Sequence, residues 1–280
     1  MKKLSAYFFS EYHLKTQTVW FKRLLYLFLI IESLYYLAYF DVLFGANSIV
    51  TVSSGPIGYF KHLAFILYDS EYTSFGFCFL LAVLCLSLLN LFTVRFALPV
   101  NVLLWFLMIN IHNRIYPTLT GGSNLLNQLL FFNCFLSATF SEEKTSRNEL
   151  KICLHNMGLL AIAGQICLLY LYSALAKFED PQWVSGQAIA TISQIQRFSL
   201  FSSPDNFRAL NPALIFVNYV VLFYQLLFPV FIWISKIKKP LLIIGILMHL
   251  YIAFFMGLVS FGFVMILGYV FFWPVKSAKS

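Results

Sequence analysis

Phe75-Gly-Phe-Cys-Phe-Leu-Leu-Ala-Val-Leu-Cys-Leu-Ser-Leu-Leu-Asn-Leu-Phe92 carries no charged side chain and no proline. Coiled as an α-helix, with about 1.5 Å of rise per residue, it reaches roughly 27 Å, close to the ~30 Å hydrocarbon core of a bilayer. Its apolar residues follow one another without the period-two alternation of a membrane barrel strand. The backbone polar groups of such a segment are satisfied in lipid only if it is helical. It therefore reads as a membrane-spanning helix.

Working outward, similar runs recur on both sides. They are Leu24–Phe44, Phe96–Ile111, Gly121–Phe140, Met157–Ala176, Ala213–Ile234, Leu241–Gly257 and the short Val259–Trp273. The last follows its predecessor across Leu258 alone, as a tight hairpin or as one helix broken around Gly257 and Gly262. The expected fold is all-α: a polytopic transmembrane helical bundle of seven to eight spans, forming a single domain over residues 1–280. Composition agrees. Of 280 residues, 60% are hydrophobic and 11% charged, against about 25% charged in soluble domains. The mean hydropathy is +0.80. A water-soluble or disordered chain is excluded, as is a low-complexity fibre, since Gly and Pro number only 13 and 9.

The net charge of +8 invites a nucleic-acid reading, but topology accounts for it. With the N-terminus in the cytoplasm, fourteen of the 19 Lys and Arg residues fall on the cytoplasmic side. Lys61, Arg114, Lys177, Arg197 and Arg208 fall on the other, a bias of the positive-inside kind. Nucleic acid is not needed as a partner; the lipid bilayer is. The first apolar run is too long for a signal-peptide core and lacks a small-x-small cleavage site, so it is expected to remain as an anchor. The five cysteines show neither CxxC nor Cys/His metal spacing and read as small buried thiols, with no metal site expected.

Two outer loops stand out. One, 45–74, contains Gly55-Pro56, Gly58, Asp69 and Glu71. The other, 178–210, places Ile189, Ile192, Ile195 and Phe198 three apart after Trp183, the spacing of a short interfacial helix with Trp183 as its anchor.

Polar groups inside spans are costly and usually face the bundle interior or a water-filled cavity. Glu32 lies among Ile30, Ile31 and Leu34 and should point inward. Asn124, Asn127 and Gln128 share one face of the fourth span, and Asn218 and Gln225 share one of the sixth. Each amide alone is explained by hydrogen bonding between helices; together they suit a polar cavity. His249 is the one strongly polar side chain in Leu241–Phe255, either a packing residue or a functional one. Arg114 near the Gly121-Gly122 pair suits either an anion or carboxylate site at a helix N-terminus or a plain turn. Lys177 closes the fifth span. It either snorkels to the interface or sits desolvated under the segment 184–200 as an amine that takes up a proton.

Tyr172, Ala174, Lys177, Phe178, Trp183 and Gly186 resemble a signature of the HTTM superfamily: a small residue, x, x, Lys, an apolar residue, acidic or small residues, Trp, x, x, Gly. Asn113-Arg114 with Gly121-Gly122 and Leu125-Leu126 is similar to that superfamily's segment between the third and fourth helices. His249 with Phe255, Gly257, Phe261 and Met265 is similar to its late histidine-bearing helix. The superfamily includes the membrane domain of the vitamin K-dependent γ-glutamyl carboxylases. There the lysine matching Lys177 deprotonates a vitamin K hydroquinone on the non-cytoplasmic side, and an oxygenated base then acts on substrate glutamate.

The resemblance implies catalytic roles for Lys177 and His249. Together with the reading of the spans it gives a polar cavity in the outer leaflet, with substrate contacts expected from Arg114, Gly121, Gly122, Trp183 and the amides Asn124, Gln128, Asn218 and Gln225, and it implies a reduced quinone as cofactor. The carboxylases continue into a large soluble domain, whereas this sequence ends at Ser280. It is thus more similar to short bacterial members that mature or export sporulation-delaying-type peptide toxins with a small partner protein. Two functions follow as expectations. One is a multi-pass plasma-membrane catalyst acting on a quinone-like lipid or a secreted peptide. The other is a non-enzymatic component for maturation, export or immunity of a peptide toxin.

Overall fold

The structure is a computed structural model, and it describes residues 7–45, 48–50, 73–93, 98–137, 139–141, 143, 145–195 and 211–274. Gly55-Pro56, Gly58, Asp69, Glu71, Lys61, Arg197, Phe198 and Arg208 lie outside the described residues. The fold is all-α, with no strand among the described residues. Its contacts divide into two compact units, Met1–Ala161 and Ile162–Ser280.

The first unit opens with α1 (Lys15–Ala38), continued after a break at Tyr39 by the short α2 (Phe40–Phe44). The expected first span began at Leu24; α1 begins nine residues earlier. Hydropathy ends an apolar run at Lys22 and Arg23, but Lys22 is only 1% exposed and donates to Asn133 Oδ1 at 2.8 Å. A partnered cation can thus sit inside the helix. α1 packs most extensively on α3 (Thr73–Thr93), which in turn packs on α4 (Leu98–Arg114), and α4 packs on α5 (Gly121–Asn133). α5 stops at Asn133, short of the expected Phe140. The chain there closes into tight turns, with Cys134, Phe135 and Leu136 amides bonded to Phe131, Phe132 and Asn133 carbonyls.

The segment before α1 is held down by side chains of α6 (Ser146–Glu179): Asn148 Oδ1 accepts from Tyr12 Oη at 2.8 Å, and two others bond its backbone. Asn156 Nδ2 donates to the carbonyls of Tyr7, Phe8 and Glu11 at 3.0, 3.3 and 2.8 Å, and its Oδ1 accepts from His13 N at 3.1 Å. His155 accepts from Ser137 N through Nδ1 (3.1 Å) and contacts the His13 carbonyl through Nε2 (2.9 Å). A carbonyl only accepts, so Nε2 carries the proton.

The second unit contains the end of α6, two short helices α7 (Pro181–Val184) and α8 (Ala188–Gln194), and three longer ones. These are α9 (Pro212–Phe231), α10 (Ser235–Phe254) and α11 (Val259–Gly268), the last followed by a 3₁₀ turn over Tyr269–Phe272. Asp180 caps α7 by accepting from Gln182 N at 2.9 Å, with Pro181 at the first helical position. Gly186, at φ +80°, turns the chain between α7 and α8.

α10 and α11 are separate helices in a tight hairpin. Gly257 adopts φ +71°, and the Leu258 amide reaches back to the Ile252 carbonyl at 3.2 Å. Their approach is close. A Cβ on Gly262 would stand 2.5 Å from the His249 carbonyl oxygen and 2.8 Å from the Ala253 Cβ, the role small residues play where membrane helices meet.

Four described helices are long and apolar enough to cross a membrane: Ser74–Thr93, Ser146–Glu179, Pro212–Phe231 and Ser235–Phe254. Val259–Phe272 is apolar but shorter, as its sequence suggested.

Candidate functional site

In the second unit Tyr170, Ser173 and Lys177 stand at i, i+3 and i+7 along α6, one face of a helix. Lys177 is half-buried. Its Nζ donates to Ser173 Oγ at 2.7 Å and approaches the Ser173 carbonyl at 3.4 Å. It also lies 4.9 Å from the centre of the Trp183 ring, a cation–π distance. The Ser173 hydroxyl in turn donates a hydrogen bond to Gln225 Oε1 at 3.2 Å. Trp183 is brought under the amine by α9: Asn218 Nδ2 donates to the Trp183 carbonyl at 2.9 Å, and Tyr219 Oη donates to the Val184 carbonyl at 2.7 Å. Among the described residues no carboxylate pairs with Lys177.

Two turns back on α6, about 10 Å of rise, Tyr170 is fully buried. Its hydroxyl meets His249 Nε2 at 2.5 Å and the Tyr269 hydroxyl. Tyr269 contacts Tyr224 Oη at 3.1 Å, and Tyr224 donates to the Leu241 carbonyl at 3.1 Å. Gly245 makes room for this meeting of hydroxyls, since a Cβ there would stand 2.1 Å from Tyr224 Oη and 2.3 Å from Tyr269 Oη. His249 is 1% exposed, and its Nδ1 has no hydrogen-bond partner among the described residues.

Lys177, Ser173, Gln225, Tyr170 and His249 line one cavity of about 620 Å³, walled otherwise mainly by Leu, Ile, Val and Met side chains with Trp183. An apolar chamber carrying a few convergent polar groups is the usual form of a small-molecule site. Among the described residues no group of three His, Cys, Asp or Glu could hold a metal ion.

Residues 124–276, more than half of the sequence and including all of these groups, match the HTTM domain. The chain belongs to the HTTM family. No curated protein and no solved structure is significantly similar to it. Family membership and the long apolar helices make this HTTM protein an integral membrane protein.

Of the residues singled out in the sequence, Lys177, Trp183, Gln225 and His249 of this HTTM protein come together around the cavity. Asn218 is buried next to the lining residue Val217 and donates to the Trp183 backbone carbonyl. Arg114, Gly121, Gly122, Asn124 and Gln128 belong to the other unit. There the Arg114 guanidinium donates to the Val50 carbonyl at 3.1 Å and to Ser48 Oγ at 3.2 Å. The Gly122 amide is already taken by the Thr120 side chain, which caps α5 at 3.2 Å. Asn124 and Gln128 are half-buried and make no side-chain hydrogen bond among the described residues.

The amide that does engage is Asn127, whose Oδ1 holds His112 Nδ1 at 2.9 Å. His112 Nε2 lies 4.0 Å from Glu32 Oε2, and Tyr36 Oη donates to Glu32 Oε1 at 3.1 Å. Glu32 thus points inward as expected, at 7% exposure. Sequence reasoning missed Tyr170, Tyr224 and Tyr269, because tyrosines in an apolar run pass as packing residues. Their signal was available in part: Tyr170 repeats the face of Lys177 two turns earlier.

Proposed function

We propose that this HTTM protein is a membrane-embedded catalyst acting, on the non-cytoplasmic side, on a quinone-like lipid or a secreted peptide, with Lys177 as the proton acceptor. The observation that carries the reading is the position of the Lys177 amine. It is half-buried at an apolar cavity, held by a serine and an indole, with no carboxylate beside it among the described residues. Such an amine is tethered without a counter-charge that would lock its proton in place. About 10 Å along the same wall, the His249–Tyr170 pair offers a second polar contact. A flat ring with a polar atom at each end bridges two such points, and the aliphatic walls suit a lipid tail. The lysine and arginine distribution supports a cytoplasmic N-terminus and an outward-facing Lys177.

A second reading has its own support. The Lys177 amine lies at a cation–π distance from the Trp183 ring, which suits an ammonium that captures an anionic group on a peptide, in a non-enzymatic component working with a partner protein. Complementation with Lys177→Met and Lys177→Arg separates the two. For a proton acceptor both variants lose activity, by 10²-fold or more, because arginine stays protonated. Full activity of Lys177→Arg abandons the general-base reading and leaves the binding one.

A further inference from the structure

The hydroxyls behind the cavity form an ordered chain, and counting their protons fixes the state of the histidine at its end. The Leu241 carbonyl can only accept, so the Tyr224 proton goes to it. A tyrosine has one hydroxyl proton. The contact between Tyr224 and Tyr269 must therefore use the Tyr269 proton, and that between Tyr269 and Tyr170 the Tyr170 proton. Tyr170 then has only lone pairs left for His249 Nε2, so Nε2 must carry the N–H. In the neutral imidazole the other ring nitrogen, Nδ1, is then a bare lone pair. It is a buried atom with no hydrogen-bond partner among the described residues, on a side chain that lines the cavity.

We propose that Tyr224, Tyr269 and Tyr170 are positioning residues that hold His249 as its Nε2–H tautomer, and that His249 Nδ1 accepts a hydrogen bond from a hydroxyl of the molecule bound in the cavity. The ligand class is an apolar molecule that presents a hydroxyl donor to Nδ1, as opposed to a bare ether or carbonyl oxygen. An acceptor placed against Nδ1 would leave two buried lone pairs facing each other, which is unfavourable. Gly245 belongs to this device, because the relay exists only where α10 lacks a side chain. The ligand half of the inference rests on the cavity being a binding site; the tautomer half does not.

The test has two arms on full-length purified protein in lipid nanodiscs. Nitrogen NMR of ¹⁵N-histidine-labelled protein, assigned by difference with His249→Gln, should show His249 as the Nε2–H tautomer without ligand. Tyr170→Phe and Tyr224→Phe should each shift it to a mixture. A wild-type spectrum with the proton on Nδ1, or one unmoved by both variants, overturns the relay. In the second arm, 1-naphthol should bind about 3–10-fold more tightly than 1-methoxynaphthalene, the worth of one net hydrogen bond. That preference should vanish in His249→Phe. Equal affinity in the wild type, or no binding of either compound, overturns the ligand half while the spectrum still decides the tautomer. Loss of the lysine reading in the Lys177 series leaves both arms unaffected, so the two failures are distinguishable.

Discussion

Lys22 shows why single residues are the hardest scale to read. It is fully buried, and Asn133 supplies both of its hydrogen bonds, through Oδ1 at 2.8 Å and the carbonyl at 3.4 Å. From sequence alone it counted as one more positive charge at the membrane edge. The charge was visible; the partner 111 residues away was not. An asymmetry follows from the price of a stranded buried cation. Asn133→Leu should destabilise by about 3 kcal/mol or more, whereas Lys22→Met should cost about 1 kcal/mol or less, because it removes the charge with its need. Thermal unfolding in detergent compares them, and equal losses would contradict the argument. Gly245→Ala carries a similar prediction. Its methyl would displace two tyrosine hydroxyls, so a loss of about 1–3 kcal/mol is expected by overpacking, with near-ultraviolet dichroism of the tyrosines altered. Lys177 and His249 were legible because they are conspicuous in apolar runs, but the tyrosines beside them became visible only as neighbours in space.

Elements were read well in kind and less well at their ends. The run Phe75–Phe92 lies within one helix, Thr73–Thr93, because nothing in it interrupts the apolar sequence. The fifth predicted span became the much longer α6, since helix continues through polar residues that hydropathy assigns to a loop. Three of those polar residues, Asn148, His155 and Asn156, tie down the chain ahead of α1. Asn156→Ala removes an amide that serves three carbonyls and one backbone N–H. Residues 7–14 should then exchange their amide hydrogens about tenfold faster or more, about 1.4 kcal/mol, with little change in α9 or α10. Hydrogen exchange with mass spectrometry resolves this, and unchanged protection in 7–14 would contradict the tether. The Gly257 turn was foreseen as one of two alternatives; the positive φ and the close packing at Gly262 decide for the hairpin.

At the scale of the molecule, composition was enough for an all-α membrane protein, because burying so many apolar residues leaves few other solvents. The assembly of one cavity from Lys177, Trp183, Gln225 and His249 was legible only as a shared polarity, while the Arg114 guanidinium engages Val50 and Ser48 and the Gly122 amide engages Thr120. Orientation remains a prediction of the charge distribution. In a background lacking the five native cysteines, Gln182→Cys should react with an impermeant maleimide added outside intact cells, and Lys151→Cys should react only after lysis. The reverse pattern would turn the protein over. The indole stacked beneath the Lys177 amine has a further use. Its emission depends on the polarity around it and on the nearby ammonium, so replacing Trp20, Trp105, Trp233 and Trp273 by phenylalanine would leave a single tryptophan, in the wall of the chamber. Occupancy could then be followed by light, without a label and before any substrate has a name.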